Sequence, residues 1–278
     1  MPAKIAINDY TVKKDWDTDP VRALEKIKEI GYDGIEFSID IDEPVFQEIA
    51  AKLIKLDLQA ISTHVGFDDM QINGDLYFCR MHQLGIQYIG IPWLAENQIP
   101  GGERYNKTKE SIEVFAKRCK AAGVSLFYHN HDFEFNKING VCKQDILLND
   151  IPSLLVQLDV CWCKVGGENP AEYIRRYARR TPMIHLKDYT LKSDAPAERL
   201  YDLHEIDGAD AAAAFREANG FSFQPVGMGC VDFESVFRAA DAIGIKWMVV
   251  EQDASTDRPP MEAAMLSLEY IRKNYCAN

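Results

Sequence analysis

The sequence contains no apolar run near the roughly 18 residues that a membrane-spanning helix needs. It carries no phosphate-cradling glycine loop, no nucleophile elbow and no kinase motif, which argues against phosphoryl transfer and serine or cysteine hydrolysis. Positive charge is short: 31 Lys and Arg stand against 43 Asp and Glu, a net −12 over 278 residues. Such a surface repels phosphate backbones, so nucleic acid is not the expected partner, and the Arg175-Arg176 and Arg179-Arg180 pairs read as a solvated helix face. Met1-Pro2-Ala3-Lys4-Ile5 lacks the apolar stretch of a secretory signal. The seven cysteines are an odd number, and Cys161-Trp162-Cys163 is too tight for a Cys-x-x-Cys redox or zinc pair. They read as reduced thiols, partly core residues, in a cytoplasmic protein. What is present, 47% hydrophobic and 27% charged residues, is globular composition. A single domain over residues 1–278 is expected, with no membrane partner and with self-association left open.

One rhythm recurs. An amphipathic run ends in glycine and a short β-branched or aromatic run follows, at Ile30-Gly31-Tyr32, Leu84-Gly85-Ile86, Ala122-Gly123-Val124 and Ile243-Gly244-Ile245. Glycine supplies the left-handed residue that stops a helix. Asp19-Pro20 marks a helix start, with Val21, Leu24 and Ile27 as its stripe. Eight strands are predicted, beginning near Lys4, Gly34, Leu58, Gln87, Val124, Leu154, Met183 and Lys246. Helices are expected over Val45–Leu56, Leu76–Leu84, Thr108–Ala122, Ala171–Arg180 and Phe233–Ile243. Eight alternating units in this length match an α/β fold of the (β/α)8 barrel type, typically about 250 residues. A doubly wound sheet is the rival, but no Gly-x-Gly-x-x-Gly follows the first strand. The stretch from Tyr189 to Val231, after strand seven, breaks the rhythm; it is read as a long loop over the C-terminal face, with a short helix at Ala209–Ala218.

The chemistry-bearing residues fall at the strand ends. Strand five runs into His129-Asn130-His131-Asp132-Phe133-Glu134, strand six into Asp159, strand seven carries His185, Lys187 and Asp188, and strand eight ends at Glu251. Two-residue alternation places His185 with Lys187, Gln157 with Asp159, and Val249 with Glu251 on common sides. Singly, each has an ordinary explanation: Asp159 or Asp188 as a helix cap, Glu251 as an arginine partner, Glu134 as an exposed loop acid. Together, carboxylates and imidazole converging from four strands favour a divalent ion, Mn²⁺, Mg²⁺, Co²⁺ or Zn²⁺. His82 reads as a surface residue, and His204 lies in the long loop.

These residues resemble the xylose-isomerase-like TIM-barrel superfamily, the group of sugar phosphate isomerases and epimerases. The matching pieces are Gly31–Phe37, Tyr128–Phe135, Leu158–Trp162, His185–Asp188, Gly227-Met228-Gly229 through Asp232, and Val250–Gln252. Relatives include tagatose 3-epimerase, hydroxypyruvate isomerase, inosose dehydratase and endonuclease IV. The resemblance implies an ion held by Glu, Asp, His and Glu, here Glu134, Asp159, His185 and Glu251, with His129 or His131 as replacements for the first. Trp162 stands where tagatose-epimerase-like relatives have a substrate-binding histidine, and suggests an apolar wall for a sugar.

The implied reaction is isomerisation or epimerisation of a ketose or keto-sugar through an enediolate. Glu134 or His129 would take the proton, Glu251 would return it, and Lys187 would bind a substrate oxygen. His64, Glu36 and His131 are further substrate-binding candidates; for His64 and Glu36 a plain polar-core role is the alternative. The same proton abstraction serves a dehydratase or lyase acting by β-elimination on a keto-inositol or 3-keto glycoside, which is the second reading. DNA cleavage is disfavoured by charge and by too few ligands for three zinc ions, and a sugar-binding barrel without catalysis would lack metal. An external anion on the Gly227–Asp232 turn is a further expectation.

Overall fold

Helix ends follow from local chemistry. Asp19 accepts the Arg22 N–H and places Pro20 in the first turn of the helix Pro20–Ile30, which buries Ala23, Leu24 and Ile27. Gly31, at φ 108°, then stops it, and the strand Gly34–Glu36 follows. In the computed structural model, which describes residues 2–192, 215–255 and 257–275, this unit repeats around a closed barrel. The barrel strands are β1 (Lys4–Asn8), β2 (Gly34–Glu36), β3 (Gln59–His64), β4 (Tyr88–Ile91), β5 (Ser125–His129), β8 (Leu155–Asp159), β9 (Met183–Leu186) and β12 (Trp247–Val250). They pair in parallel in the order β1-β12-β9-β8-β5-β4-β3-β2, so no edge is left open. The eight predicted strand starts fall within one residue of these positions.

The barrel interior is layered. Ala6, Ile61, Met183 and Val249 form an apolar floor, with Tyr88 and Trp247 against it. Above it, alternation along each strand turns polar residues inward. A register shift between Ile35 and Glu36 puts Glu36 opposite Ser62, and their side chains bond. The larger apolar core lies between barrel and helices.

Three regions differ from the sequence reading. The helix Phe67–Leu84 starts nine residues before Leu76. Asn73-Gly74 interrupts its apolar stripe, yet Gly74 is where the helix crosses the helix Tyr105–Ala121: a Cβ there would lie 2.9 Å from the Phe115 ring. Downstream of β8 the chain forms two short helices, Val160–Val165 and Pro170–Arg176, rather than one. Arg180 is not a solvated charge but donates to the carbonyls of Leu148, Ile151 and Leu154, while Arg176 pairs with Asp145. The stretch after strand seven contains an antiparallel arm, β10 (Asp188–Leu191) with β11 (Phe221–Gln224), and residues 215–218 are helical. His204 and the first part of the expected Ala209–Ala218 helix lie outside the described residues. A smaller hairpin, β6 (Lys137–Ile138) with β7 (Val141–Cys142), turns through Asn139-Gly140, both at positive φ. No helix among the described residues is long and apolar enough to cross a membrane.

Candidate metal centre

Register carries four donors to one place. Asp159 of β8 is level with His185 of β9, and His185 is level with Val249 of β12, one alternation below Glu251. His129 of β5 is level with Gln157, two residues below Asp159. His129, Asp159, His185 and Glu251 are all buried, each offers one ligand atom, and these atoms lie within 4.8 Å of one another. His64, with His129 and His185, forms a second such group sharing two members. Asp159 also caps the following helix, as its ordinary reading anticipates: one carboxylate oxygen accepts the Trp162 N–H at 2.8 Å. The other, Oδ2, accepts no hydrogen bond among the described residues and has the Lys187 ammonium, 3.3 Å away, as its ion-pair partner. Three buried carboxylates, Asp159, Glu251 and Glu36, crowd the two imidazoles and this one ammonium, and a divalent cation would offset the remaining negative charge, so the donor set fits a metal ion.

Glu36 sits beneath. It is fully buried and accepts from Asn8 at 2.8 Å, Ser62 at 2.6 Å and Gln157 at 2.7 Å, and its Oε1 meets His185 Nε2 at 2.7 Å. The other His185 nitrogen, Nδ1, lies 3.0 Å from Glu251 Oε2. Burial opposes a charge on His185, yet the Glu251 and Glu36 carboxylates raise its pKa to about 10. Burial likewise opposes ionisation of Glu36 and Glu251. His64 and His185 nonetheless hold Glu36 below the usual carboxylate range, and Lys187 and His185 hold Glu251 there. Asp159 rises to about 6, through burial only partly countered by Lys187. His129 and His131 are both pushed well below ordinary histidine, chiefly by burial.

Lys187 is buried at the tip of β9. Its Nζ lies 2.7 Å from Glu251, 2.8 Å from Asp253 and 3.3 Å from Asp159, and these carboxylates keep it protonated against burial. Glu251 therefore pairs with a lysine and a histidine rather than an arginine. His64 Nε2 bonds Gln157 Oε1 at 2.8 Å, and its ring stacks on His185. His131 packs edge-on against His129 and face-on against Phe133, with Trp162 6.0 Å away, so Trp162 is part of the site wall.

Glu134 is not brought to this group. The turn Phe133–Phe135 folds it back, buried rather than exposed, where one oxygen accepts from the Tyr128 hydroxyl and the other from the His131 N–H at 2.8 Å. Burial raises its pKa to about 8. At the strand-five position the donor within reach is His129, the alternative the sequence left open. Asp188 is not a helix cap: its carboxylate accepts the N–H groups of Tyr189, Gly227, Gly229 and Val231. The turn expected to bind an outside anion is thus filled by the chain's own. Asp253 and Asn130 carried little sequence signal. Asn130 pins Asp159, accepting its N–H at 3.0 Å and donating to its carbonyl at 3.3 Å. Cys161 and Cys163 are buried free thiols.

The fold is a closed parallel barrel with a buried His/Asp/Glu cluster at its C-terminal strand ends that could hold a metal ion. The chain belongs to the xylose isomerase-like TIM barrel family, which it matches over residues 24–274. Among curated proteins it is similar to inosose dehydratase of Clostridium beijerinckii, 24% identical over 174 residues, 62% of this chain and 55% of that protein. The match thus spans a little over half of that relative's length. A sugar phosphate isomerase/epimerase from Parabacteroides distasonis shares the fold at TM-score 0.73 and 19% identity, over 98% of both chains. The probable 3-DHS dehydratase of petrobactin synthesis from Bacillus anthracis does so at TM-score 0.70 and 12% identity, over 96% of this chain and 98% of that one. The relatives are thus enzymes, both isomerases and dehydratases.

Proposed function

We propose that this protein is a divalent-metal-dependent enzyme that removes a proton beside the carbonyl of a ketose or keto-sugar, leading to isomerisation or epimerisation. The observation that carries this reading is the buried group His129, Asp159, His185 and Glu251 at the C-terminal strand ends. These four residues would hold the ion, Mn²⁺ being the first expectation. When bound, it would supply Lewis acidity toward the carbonyl and its neighbouring hydroxyl.

The remaining work falls to the chain. Glu36 accepts from His185 Nε2 and so fixes the imidazole with Nδ1 turned toward Glu251. Glu251, at the end of β12, would return the carbon-bound proton. Lys187, its ammonium held by Asp159, Glu251 and Asp253, donates to a substrate oxygen on which negative charge grows. His131, kept neutral by burial and by the Lys187 charge, can move a second proton at a ring nitrogen. The Trp162 and Phe223 rings lie 5.5 and 5.7 Å from the Lys187 ammonium and would shield it from water. Glu134 holds Tyr128 and the His131 backbone in position. A cytoplasmic location accords with the reduced thiols.

A second reading, β-elimination of water or a glycoside from a keto-inositol or 3-keto sugar, is favoured by the inosose dehydratases among the relatives. Both begin with the same proton. The test is incubation of the Mn²⁺-loaded protein in D₂O with ketoses, keto-inositols and 3-keto sugars. Metal-dependent carbon-bound deuterium is expected, an isomer or epimer supporting the first reading and an unsaturated product the second. No exchange with any member of the panel would contradict both.

A further inference from the structure

Two cations lie over one ring. Lys187 Nζ is 5.7 Å from the centroid of Phe223 in β11, and Arg216 Cζ is 5.2 Å from the same centroid. Phe223 packs edge-on against Trp162 and Phe221, and Lys187 is 5.5 Å from the Trp162 ring. A continuous aromatic wall thus links the metal centre to Arg216, whose charge is also felt at Tyr10 and His131, on the loops after β1 and β5.

The two cations differ in their partners. Lys187 is surrounded by Asp159, Glu251 and Asp253. Arg216 is 5% exposed, and its Nε and Nη1 are buried without a hydrogen-bond acceptor among the described residues. A guanidinium only donates and does not shed its charge at neutral pH. Burying its N–H groups without acceptors costs folding free energy, and the aromatic face of Phe223 offers no lone pair. A buried guanidinium with unanswered donors beside a reaction centre matches the geometry by which arginine receives carboxylate or phosphate oxygens.

Building on the proposed function, we infer that Arg216 is a specificity-determining residue that binds an anionic substituent, carboxylate or phosphate ester, on the keto-sugar whose carbonyl end meets the metal centre. A neutral sugar would leave its donors with hydroxyl oxygens alone, and a charged acceptor is the stronger partner.

The test is calorimetric binding of D-fructose, D-fructose 6-phosphate and D-fructuronate to the Mn²⁺-loaded native protein, Arg216→Gln and Arg216→Lys. At least one anionic compound is expected to bind the native protein about 10- to 100-fold more tightly than D-fructose, the range of a charge-assisted hydrogen bond. Preference for the phosphate ester alone assigns a phosphate, and for the uronate alone a carboxylate. Arg216→Gln should abolish the preference, and Arg216→Lys should restore part of it. Equal binding of all three compounds, no binding by either anion, or an unchanged preference in Arg216→Gln overturns the inference. Uniform weakening toward all three in both variants would make Arg216 a packing residue and overturn it too. Deuterium exchange retained alongside such a result leaves the proposed function standing; loss of metal binding by the native protein removes the proposed function itself.

Discussion

At the scale of the residue, one carboxylate holds and another supports. Glu36 accepts from four side chains and orients His185. An amide there keeps shape but loses the charge that steadies the imidazole, so Glu36→Gln should weaken Mn²⁺ affinity about 10- to 100-fold. Competition against a chelator of known affinity measures this, and unchanged affinity would contradict the role. Glu134 predicts a different signature. Its carboxyl sits at about 8 in the fold against an ordinary 4.5, so between those values the folded chain keeps a proton that the unfolded chain releases. Its contribution is complete below about 4.5 and is lost as pH rises through about 8. Glu134→Gln, which resembles the protonated acid, should therefore gain on the native protein in melting temperature between pH 5 and 9, while Mn²⁺ binding stays unchanged. Parallel pH profiles would refute this. The strand-end donors Asp159, His185 and Glu251 were legible from the sequence because period-two alternation fixes which side they face. The choice between His129 and Glu134 was not legible, because it turns on a three-residue turn that folds a carboxylate backward.

At the scale of the element, the arm after β9 depends on Asp188. One carboxylate gathers N–H groups from Tyr189, Gly227, Gly229 and Val231, and at Gly229 a Cβ would lie 2.4 Å from its Oδ1. Asp188→Asn points an amide N–H₂ at backbone donors that the carboxylate accepts from. It should cost roughly 1–3 kcal/mol in denaturant unfolding and raise protease cleavage at the β10–β11 arm; unchanged stability with unchanged cleavage would remove the clamp. The glycine-ended helices were legible from local chemistry, since cap and stop signals need no tertiary information. The early part of the helix Phe67–Leu84 was hidden because Gly74 serves a crossing, not the helix's own propensity. The β10–β11 pairing was hidden because 29 residues, 192–220, lie between its near ends Leu191 and Phe221, too many for a hairpin signal in the sequence.

At the scale of the whole molecule, barrel closure turns scattered sequence positions into one site. His129 and Glu251 are far apart in the chain, yet the order β5-β8-β9-β12 is a run of neighbours. The floor of Ala6, Ile61, Met183 and Val249 closes the barrel below, and the polar residues gather above it, where parallel strands end and loops carry function. The alternation of strands and helices made this architecture readable, whereas Arg216 has no periodic signal and acquires meaning only through Phe223. In the proposed reading His129, Asp159, His185 and Glu251 hold one ion. Titrating Mn²⁺ into metal-stripped protein, with the free-ion signal followed by electron paramagnetic resonance, measures this. The native protein should remove about one equivalent tightly, and Asp159→Asn and His185→Ala should bind far more weakly while remaining folded. No tight binding by the native protein, or native-like binding by both variants, would contradict the account.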